Sequence, residues 1–424
     1  MDKDKLVIYQ INPNMFTHEG TLNAAKKMLP HIASLGVNVA YLFAICKSDT
    51  SKDRKCWSER QKKSKLNNPK NPYRIDDYFT IDEDYGGNEQ LHAFVDEAHQ
   101  LGLKVMLDLV YVHCGPNSKL FQDCPEGVKR NPDGSIHYTL YHFPETNFES
   151  RALREYFIEN MLYFVREFEI DGFRCDVGDC VPLDFWKEAV ERVRQVKDDI
   201  IMLNEGFNPE YVLSGVFDLN YNSPILMMTE LNFPTYFRAL REEIDKKGID
   251  RKGIYFLENH DTVTDNGRAD LRFSPKACDC AYVHLFTAAG TPLLYCGEEI
   301  ADLNVHNMFA NKTHNRGYGI DWSNALLPHG KRRLALIKKL GKIRQEEEAL
   351  AKGVFNWIET REDAIAYERV LPNERIVVYI NWGRKPLEIM NHNGKILLSR
   401  GYKESKISSN GFVIMKLDKE YHRN

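Results

Sequence analysis

The sequence lacks any apolar run that approaches the roughly 20 residues needed to cross a bilayer as a helix. It also lacks the pattern of a secretory signal peptide, because the charged start at residues 1–5 leads directly into the short apolar stretch 6–9. A strong excess of one charge is missing too, since the formal net charge is −4 and the pI is near 6.4. We therefore expect a cytoplasmic protein whose main partner is neither a membrane nor a nucleic acid.

The nine cysteines do not form a disulfide framework. Their number is odd, they are scattered, and several lie inside stretches that resemble core elements, such as Cys175 and Cys296. This distribution is typical of a reducing compartment. Cys278 and Cys280 have no second pair at the spacing of a metal site, so we expect them to be packing residues.

Strand-like and helix-like segments alternate up to about residue 350 of the 424-residue chain. The predicted strands are 6–10, 37–43, 104–110, 172–176, 200–205, 216–218, 254–257 and 292–295. The predicted helices are 22–35, 88–100, 152–168, 183–196, 235–246, 280–289 and 331–346. This alternation, repeated about eight times, predicts a closed α/β barrel of the (β/α)8 or TIM type.

After residue 350 the pattern changes to short strand-like runs separated by turn signals such as Asn393-Gly394. We expect a barrel domain at 1–350 and a C-terminal antiparallel β-sandwich domain at 351–424 that caps it. The basic segment 46–75 is predicted to be a loop, which either forms a mobile, solvated surface or restricts access on the catalytic face. Residues 113–148 form a short excursion after the third strand.

Polar side chains stand at the predicted ends of several barrel strands. The C-terminal strand ends of such a barrel meet at one face, where active sites lie, so we expect these side chains to converge. They are Asp108 and His113 after the third strand, Arg174 and Asp176 at the fourth, Glu205 at the fifth, and His260 and Asp261 after the seventh.

Strand alternation places Arg174 and Asp176 on one face, and the guanidinium favours the ionised form of the Asp176 carboxyl. Taken alone, this pair could be an ordinary ion pair at a strand end, and each carboxylate could be a capping or solvated residue. Carboxylates that cluster in a pocket repel one another, so at least one pKa is raised. A proton donor beside a nucleophile is the usual outcome.

Four motifs in this order resemble the signatures of the α-amylase family, family 13 of the glycoside hydrolases. They are the runs 108–113 (DLVYVH), 172–176 (GFRCD), 204–206 (NEG) and 256–261 (FLENHD). Flanking runs at 9–11, 76–78, 84–87, 290–292 and 295–299 agree with the same family. The chain is similar to this family over its whole length.

The resemblance implies a set of catalytic residues and a set of substrate-binding residues. The implied catalytic residues are Asp176 as nucleophile, Glu205 as general acid/base and Asp261 as the carboxylate that stabilises the transition state. The implied substrate-binding set has five residues. Arg174 orients Asp176, and Asp108 belongs to the first signature. His113 and His260 bind sugar hydroxyls, and Tyr85 stacks on the sugar ring beside the scissile bond. No cofactor is implied.

Several departures from the family pattern bear on metal and substrate. Val112 stands where many members have an asparagine that binds calcium, and an apolar side chain cannot coordinate a hard cation, so no metal site is predicted. Asp179-Cys180 stands where polymer-cutting members carry Lys-His, and the run 261–265 (DTVTD) lacks the arginine that often follows the fourth signature. A valine directly after the nucleophile, as at Val177, resembles the sequence of members that accept α-1,6 linkages.

We therefore expect a retaining glycoside hydrolase that acts on short α-glucans and oligosaccharides through a covalent glycosyl-enzyme. Transfer to another sugar or to phosphate is an alternative, because the same intermediate can react with a different acceptor. A non-catalytic carbohydrate-binding or partner protein is a further alternative. The presence of all three carboxylates argues against it.

Overall fold

The computed structural model describes residues 2–221, 223–227, 230–314, 317 and 319–418. Its strands up to residue 300 are β1 Ile8–Ile11, β2 Val39–Leu42, β3 Cys46–Ser48, β4 Ile75–Ile81, β5 Lys104–Leu109, β6 Gly172–Cys175, β7 Ile201–Asn204, β8 Leu219–Asn220, β9 Ile254–Tyr255 and β10 Thr291–Tyr295. Eight of them form one parallel sheet in the order β8-β7-β6-β5-β2-β1-β10-β9. A parallel bridge between Asn220 and Gly253 joins the two ends of this sheet and closes the predicted (β/α)8 barrel, which is thereby confirmed.

The helices surround this barrel. They are α1 Pro13–Phe16, α2 Leu22–Lys26, α3 Leu29–Ala33, α4 Glu59–Lys63, α5 Gly87–Gln100, α6 Leu120–Asp123, α7 Arg151–Phe168, α8 Leu183–Val196, α9 Glu210–Leu213, α10 Phe233–Lys247, α11 His260–Asn266, α12 Ala269–Arg272, α13 Pro275–Thr287, α14 Pro328–Glu346 and α15 Glu348–Lys352. Within the described ranges, none of them has the length and apolar character of a membrane span.

The helix predicted at 22–35 is two helices. Pro30 lies in the first turn of α3, and a proline there would clash with the carbonyl of Lys26 if α2 continued. The chain therefore breaks between Lys26 and Leu29.

Segment 46–75, predicted to be a loop, is an ordered wall with its own elements, so that prediction was wrong. β3 pairs with β4, and α4 lies between them. The guanidinium of Arg74 is fully buried and donates to the carbonyls of Cys56, Asp49, Ser51 and Pro69. The amide of Gln61 donates to the carbonyl of Asn68 over 2.8 Å, and Asn68 Nδ2 donates to the carbonyl of Phe309 over 2.7 Å. These buried contacts hold the segment against a distant part of the chain.

The C-terminal sheet contains β11 Val354–Ile358, β12 Ala364–Leu371, β13 Glu374–Asn381, β14 Leu387–Glu388, β15 Gly394–Lys403 and β16 Lys406–Leu417. All its pairings are antiparallel. Alternate residues of β13, such as Ile376 and Val378, join the main core, while Val377 and Tyr379 belong to a second, smaller cluster. One face of this sheet thus packs on the barrel domain. Cys278 and Cys280 are both buried, as expected of packing residues, and Cys280 Sγ contacts the carbonyl of Gly411 in this sheet.

Candidate active site

One buried guanidinium gathers three carboxylates at the C-terminal end of the barrel. Asp108 and Arg174 are register partners on β5 and β6, so their side chains lie side by side. Arg174 Nη1 lies 2.7 Å from Oδ1 of Asp108 and 3.0 Å from Oδ1 of Asp176, and Nη2 lies 2.7 Å from Oε2 of Glu205. Because Asp176 and Glu205 bind the same guanidinium, their carboxylates are held close together.

The backbone after Asp176 also holds Glu205. Val177 adopts a left-handed conformation with φ 43°, which is strained for a β-branched residue, and its N–H donates to Oε2 of Glu205 over 2.9 Å. The Asp179 carboxylate then accepts from the backbone N–H groups of Phe207 and Asn208. Asp179 therefore fixes the loop that follows Glu205.

Burial sets the charge of this cluster. Burial raises the pKa of the Asp176 carboxyl well above its ordinary value. The positive charge of Arg174 opposes this rise, and the nearby carboxylates of Glu205, Asp108 and Asp261 add to it. Burial also raises the pKa of Glu205, again opposed by Arg174. Both shifts favour the protonated form, and because like charges so close oppose double ionisation, the pair is suited to act as one proton donor and one anion.

A second hydrogen-bonded chain fixes His260. Gln10 Nε2 lies 2.8 Å from Nδ1 of His260, and the Tyr73 hydroxyl lies 2.7 Å from Nε2. The Tyr73 hydroxyl donates to Asp108 Oδ2 over 3.0 Å, so it accepts from His260, and the ring proton is placed on Nε2. Burial lowers the pKa of His260 to about 4, which keeps the imidazole neutral.

Asp261 lies in the first turn of α11 and is held from both sides. Its Oδ1 accepts from Arg60 Nη1 over 2.7 Å, and its Oδ2 lies 3.3 Å from Nε2 of His260. Burial alone would raise the pKa of Asp261, but His260, Arg60 and Arg174 lower it to about 2. Asp261 is thus a fixed anion at the site.

A cavity of about 300 Å³ connects these groups. Four parts of the chain line it: segment 46–75, excursion 113–148, the barrel strand ends and the stretch after β10. The lining residues are Ser58, Glu59, Arg60, Asn71, Tyr73, His113, Leu140, Tyr141, Phe143, Asp176, Val177, Glu205, His260, Asp261, Met308 and Phe309. Its size is at the lower end of the roughly 300–1,000 Å³ of ligand pockets. The carboxylates of Asp176, Glu205 and Asp261 line it together with apolar side chains.

The structure brings most of the predicted site residues together. His113, Asp176, Glu205, His260 and Asp261 line the cavity, while Asp108 and Arg174 lie directly behind it. The His113 ring packs on Phe143 with centroids 4.9 Å apart, its Nε2 bonds to the carbonyl of Tyr73, and burial lowers its pKa to about 4.

Tyr85 is the exception. It is buried, its hydroxyl accepts from Asn14 Nδ2, and it lines a separate, smaller cavity next to the main one. Tyr73 lines the main cavity together with Tyr141, Phe143 and Phe309, and its ring stacks on the His260 ring at 15° with centroids 5.5 Å apart. Tyr73 was not among the predicted site residues because it lies in the segment predicted to be a loop. The only local signal for it is an aromatic residue in the run Asn71-Pro72-Tyr73, just before β4.

The surroundings of Val112 do not fit a calcium ion. Nearby, Lys129 Nζ lies 2.9 Å from Oε1 of Glu145, and Arg154 Nε donates to the carbonyl of Phe148 over 2.7 Å. These residues line one cavity with Val112. Calcium takes six to eight oxygen ligands. Here the lining contains the apolar Val112 and the cations Lys129 and Arg154, each of which bonds to an oxygen at this place.

We expect an excess of EDTA to leave kcat/KM and the thermal melting temperature unchanged, because no residue of the site needs a cation to hold it. Activity on maltotriose and a thermal melt, each with and without EDTA, check this. Loss of activity in EDTA that added calcium restores would contradict the metal argument.

Comparison with known proteins gives a consistent result. The family model described as "Alpha amylase, catalytic domain" matches residues 10–135 and 133–325. The chain is 26% identical to a cyclomaltodextrinase from a Bacillus species over 88% of this chain and 72% of that protein. It is 25% identical to the intracellular maltogenic amylase of Bacillus subtilis over 86% of this chain, but spans only 62% of that protein. An alpha-amylase structure from Lactobacillus plantarum superposes with a TM-score of 0.79 at 22% identity, covering 98% of this chain and 99% of that chain.

Proposed function

The chain belongs to the alpha-amylase family of glycoside hydrolases, and we propose that it is a retaining enzyme that cleaves α-glucosidic bonds in short α-glucans. The observation that carries the proposal is the Arg174 guanidinium, which holds Asp108, Asp176 and Glu205 beside the fixed anion Asp261. Retaining glycosidases place their two carboxyls about 5–5.5 Å apart, and contact with one guanidinium supports such a short separation.

The reaction follows from these positions. Asp176 attacks the anomeric carbon while Glu205 gives its proton to the departing glycosidic oxygen, so the C–O bond breaks as the ester bond to Asp176 forms. The positive charge that develops on the sugar favours the Asp176 anion and leaves the proton on Glu205. Water then loses a proton to Glu205 and attacks the same carbon, which releases Asp176 and restores the starting state.

The remaining groups hold the sugar and stabilise its charge. Asp261 faces the developing oxocarbenium charge as a fixed anion. His260 and His113 are neutral and bind hydroxyl groups, and Tyr73 takes the stacking position first expected of Tyr85. Arg174 orients Asp176, and Asp108 holds Arg174 from behind.

The shape of the cavity supports a preference for short substrates. Segment 46–75 and excursion 113–148 both line it, and Glu59 Oε1 of the first lies 3.5 Å from Nε2 of His142 of the second, so the two segments also contact each other beside the cavity. Leu140, Tyr141 and Phe309 add an apolar rim. A site enclosed in this way takes the end of a chain more readily than its middle.

We therefore expect kcat/KM to stay level, without an increase, from maltose or isomaltose through maltotetraose to soluble starch. The measurement is kcat/KM for each substrate, with a maltoheptaoside blocked at its non-reducing end as a control that only internal cleavage can hydrolyse. A steep rise with chain length, or cleavage of the blocked substrate, would show an open cleft.

Product analysis decides between hydrolysis and transfer. We expect maltose, isomaltose, sucrose and maltotriose, incubated with and without phosphate, to give free sugars as the main products. Sugar phosphate as the main product would assign phosphorolysis, and longer oligosaccharides would assign transglycosylation. No turnover of any substrate would favour a binding protein.

We infer a cytoplasmic location from two observations. The Bacillus subtilis relative is named an intracellular enzyme, and all nine cysteines are unpaired. Fractionation of cells that produce the chain tests this inference, since a periplasmic or extracellular majority would contradict it.

A further inference from the structure

Arg60, on α4 of segment 46–75, bonds to two acidic residues of α11 through all three of its guanidinium nitrogens. Nη1 donates to Oδ1 of Asp261 over 2.7 Å, and Nη2 donates to the Asp261 carbonyl over 3.4 Å. Nε donates to Oδ1 of Asp265 over 2.9 Å. The planar guanidinium therefore spans two carboxylates one helical turn apart, which a single ammonium group cannot do.

The helix that carries Arg60 is fixed to the body of the protein. Ser58 caps α4 through its hydroxyl, which accepts from the backbone N–H of Gln61 over 3.2 Å. The Gln61 side chain is buried and bonds to the carbonyl of Asn68, and Asn68 bonds to the carbonyl of Phe309. Arg60 thus approaches Asp261 from an anchored element and not from a freely moving surface.

The local sequence around Asp261 contains no cation that could take this place. The run 261–265 has two threonines, a valine and a second acid, Asp265. Without Arg60, Asp261 and Asp265 would face each other as like charges on one helix, and only His260 would remain on Oδ2 of Asp261. Arg60 is also among the cations that keep the pKa of Asp261 low.

We propose that Arg60 is a positioning residue for Asp261, supplied by the distant segment 46–75, and that Asp265 serves to hold Arg60 in place. The proposal rests on the glycosidase function proposed above. It makes segment 46–75 a part of the catalytic apparatus as well as a wall of the pocket.

The expected effect lies in turnover more than in substrate binding. Asp261 acts on charge that exists only in the transition state, so a displaced Asp261 lowers kcat and leaves KM nearly constant. A displacement on the order of 1 Å can lower the rate by about 10²-fold. We expect Arg60→Met to lower kcat for maltotriose by about that factor, with KM within about threefold of wild type.

Two further measurements separate positioning from a general structural role. Arg60→Lys should recover part of the lost kcat, because an ammonium group can pair with Asp261 but not with both carboxylates. Guanidinium ion at a concentration below that which lowers the melting temperature should raise kcat of Arg60→Met. Lys63→Met is the matched control, since Lys63 lies exposed on the same helix, and we expect wild-type kinetics from it.

A double-mutant cycle tests the part assigned to Asp265. Asp265→Asn alone should lower kcat by less than Arg60→Met, and adding it to Arg60→Met should cause no further loss, because Asp265 acts only through Arg60. Additive losses in the double variant would overturn this. Asp265 is about half exposed, so Asp265→Asn also serves if Arg60→Met does not fold.

The inference fails if Arg60→Met keeps wild-type kcat, or if only its KM rises, which would make Arg60 a substrate contact. These results differ from a failure of the proposed function, in which the wild-type enzyme itself would hydrolyse none of the oligosaccharides.

Discussion

Asp176→Asn should lower kcat for maltotriose by about 10⁴-fold or more, because the amide removes the nucleophile at nearly constant volume. The variant should fold, since the neutral amide relieves repulsion among the carboxylates around Arg174 while its oxygen can still accept from Nη1. Initial rates and a thermal melt of the same preparation measure both effects.

Asp96→Asn is the matched control, because it makes the same chemical change at an exposed position of α5, and we expect wild-type rates from it. Turnover of Asp176→Asn close to that of wild type would remove Asp176 from the mechanism. A melting temperature close to that of wild type shows that the variant is folded, so that a lower kcat reports on catalysis.

Glu205→Ala should lower kcat for maltotriose by about 10²–10⁴-fold, because proton donation to the leaving oxygen is lost. With a p-nitrophenyl α-glucoside, whose leaving group needs little protonation, the rate of the first step, formation of the glycosyl-enzyme, should fall much less. Azide should then accelerate the second step and yield an α-glycosyl azide, since it attacks the glycosyl-enzyme in place of activated water.

Glu210→Gln serves as the control, because Glu210 is exposed at the start of α9, five residues along the chain. Equal losses for maltotriose and the p-nitrophenyl substrate, without any response to azide, would assign Glu205 another role. A β-glycosyl azide would contradict the retaining mechanism.

The barrel and the carboxylate cluster could be predicted from the sequence because both depend on local periodicity. Strand alternation predicts that Arg174 and Asp176 point to the same side of their strand. The C-terminal ends of the parallel barrel strands meet at one face, independently of the connecting loops. The register of Asp108 beside Arg174 then follows from the pairing of β5 with β6.

Segment 46–75 could not be predicted in this way, because long-range buried contacts hold it. Arg74 lies in a basic run, which predicts a solvated cation. In the structure its side chain is fully buried and donates to backbone carbonyls across the segment. Asn68 bonds to Phe309, which lies 241 positions along the chain. No local pattern indicates such a partner, and the contributions of Tyr73 and Arg60 were missed with it.

Smaller differences have local causes. The sixth strand was expected at 216–218 and lies at Leu219–Asn220, where Asp218 instead accepts from the N–H of Met202. The left-handed conformation of Val177 could not be predicted either, because β-branched residues rarely adopt it. It is seen only in the folded site, where its N–H reaches Glu205.

The central claim is that Asp176 forms a covalent bond to the anomeric carbon. Incubation of the wild-type enzyme with 5-fluoro-α-D-glucosyl fluoride, followed by fragmentation mass spectrometry of the peptides, tests it directly. The account predicts one sugar adduct, on the carboxyl of Asp176, and loss of activity in step with labelling. An adduct on another carboxyl, or turnover to an inverted product without any adduct, would contradict it.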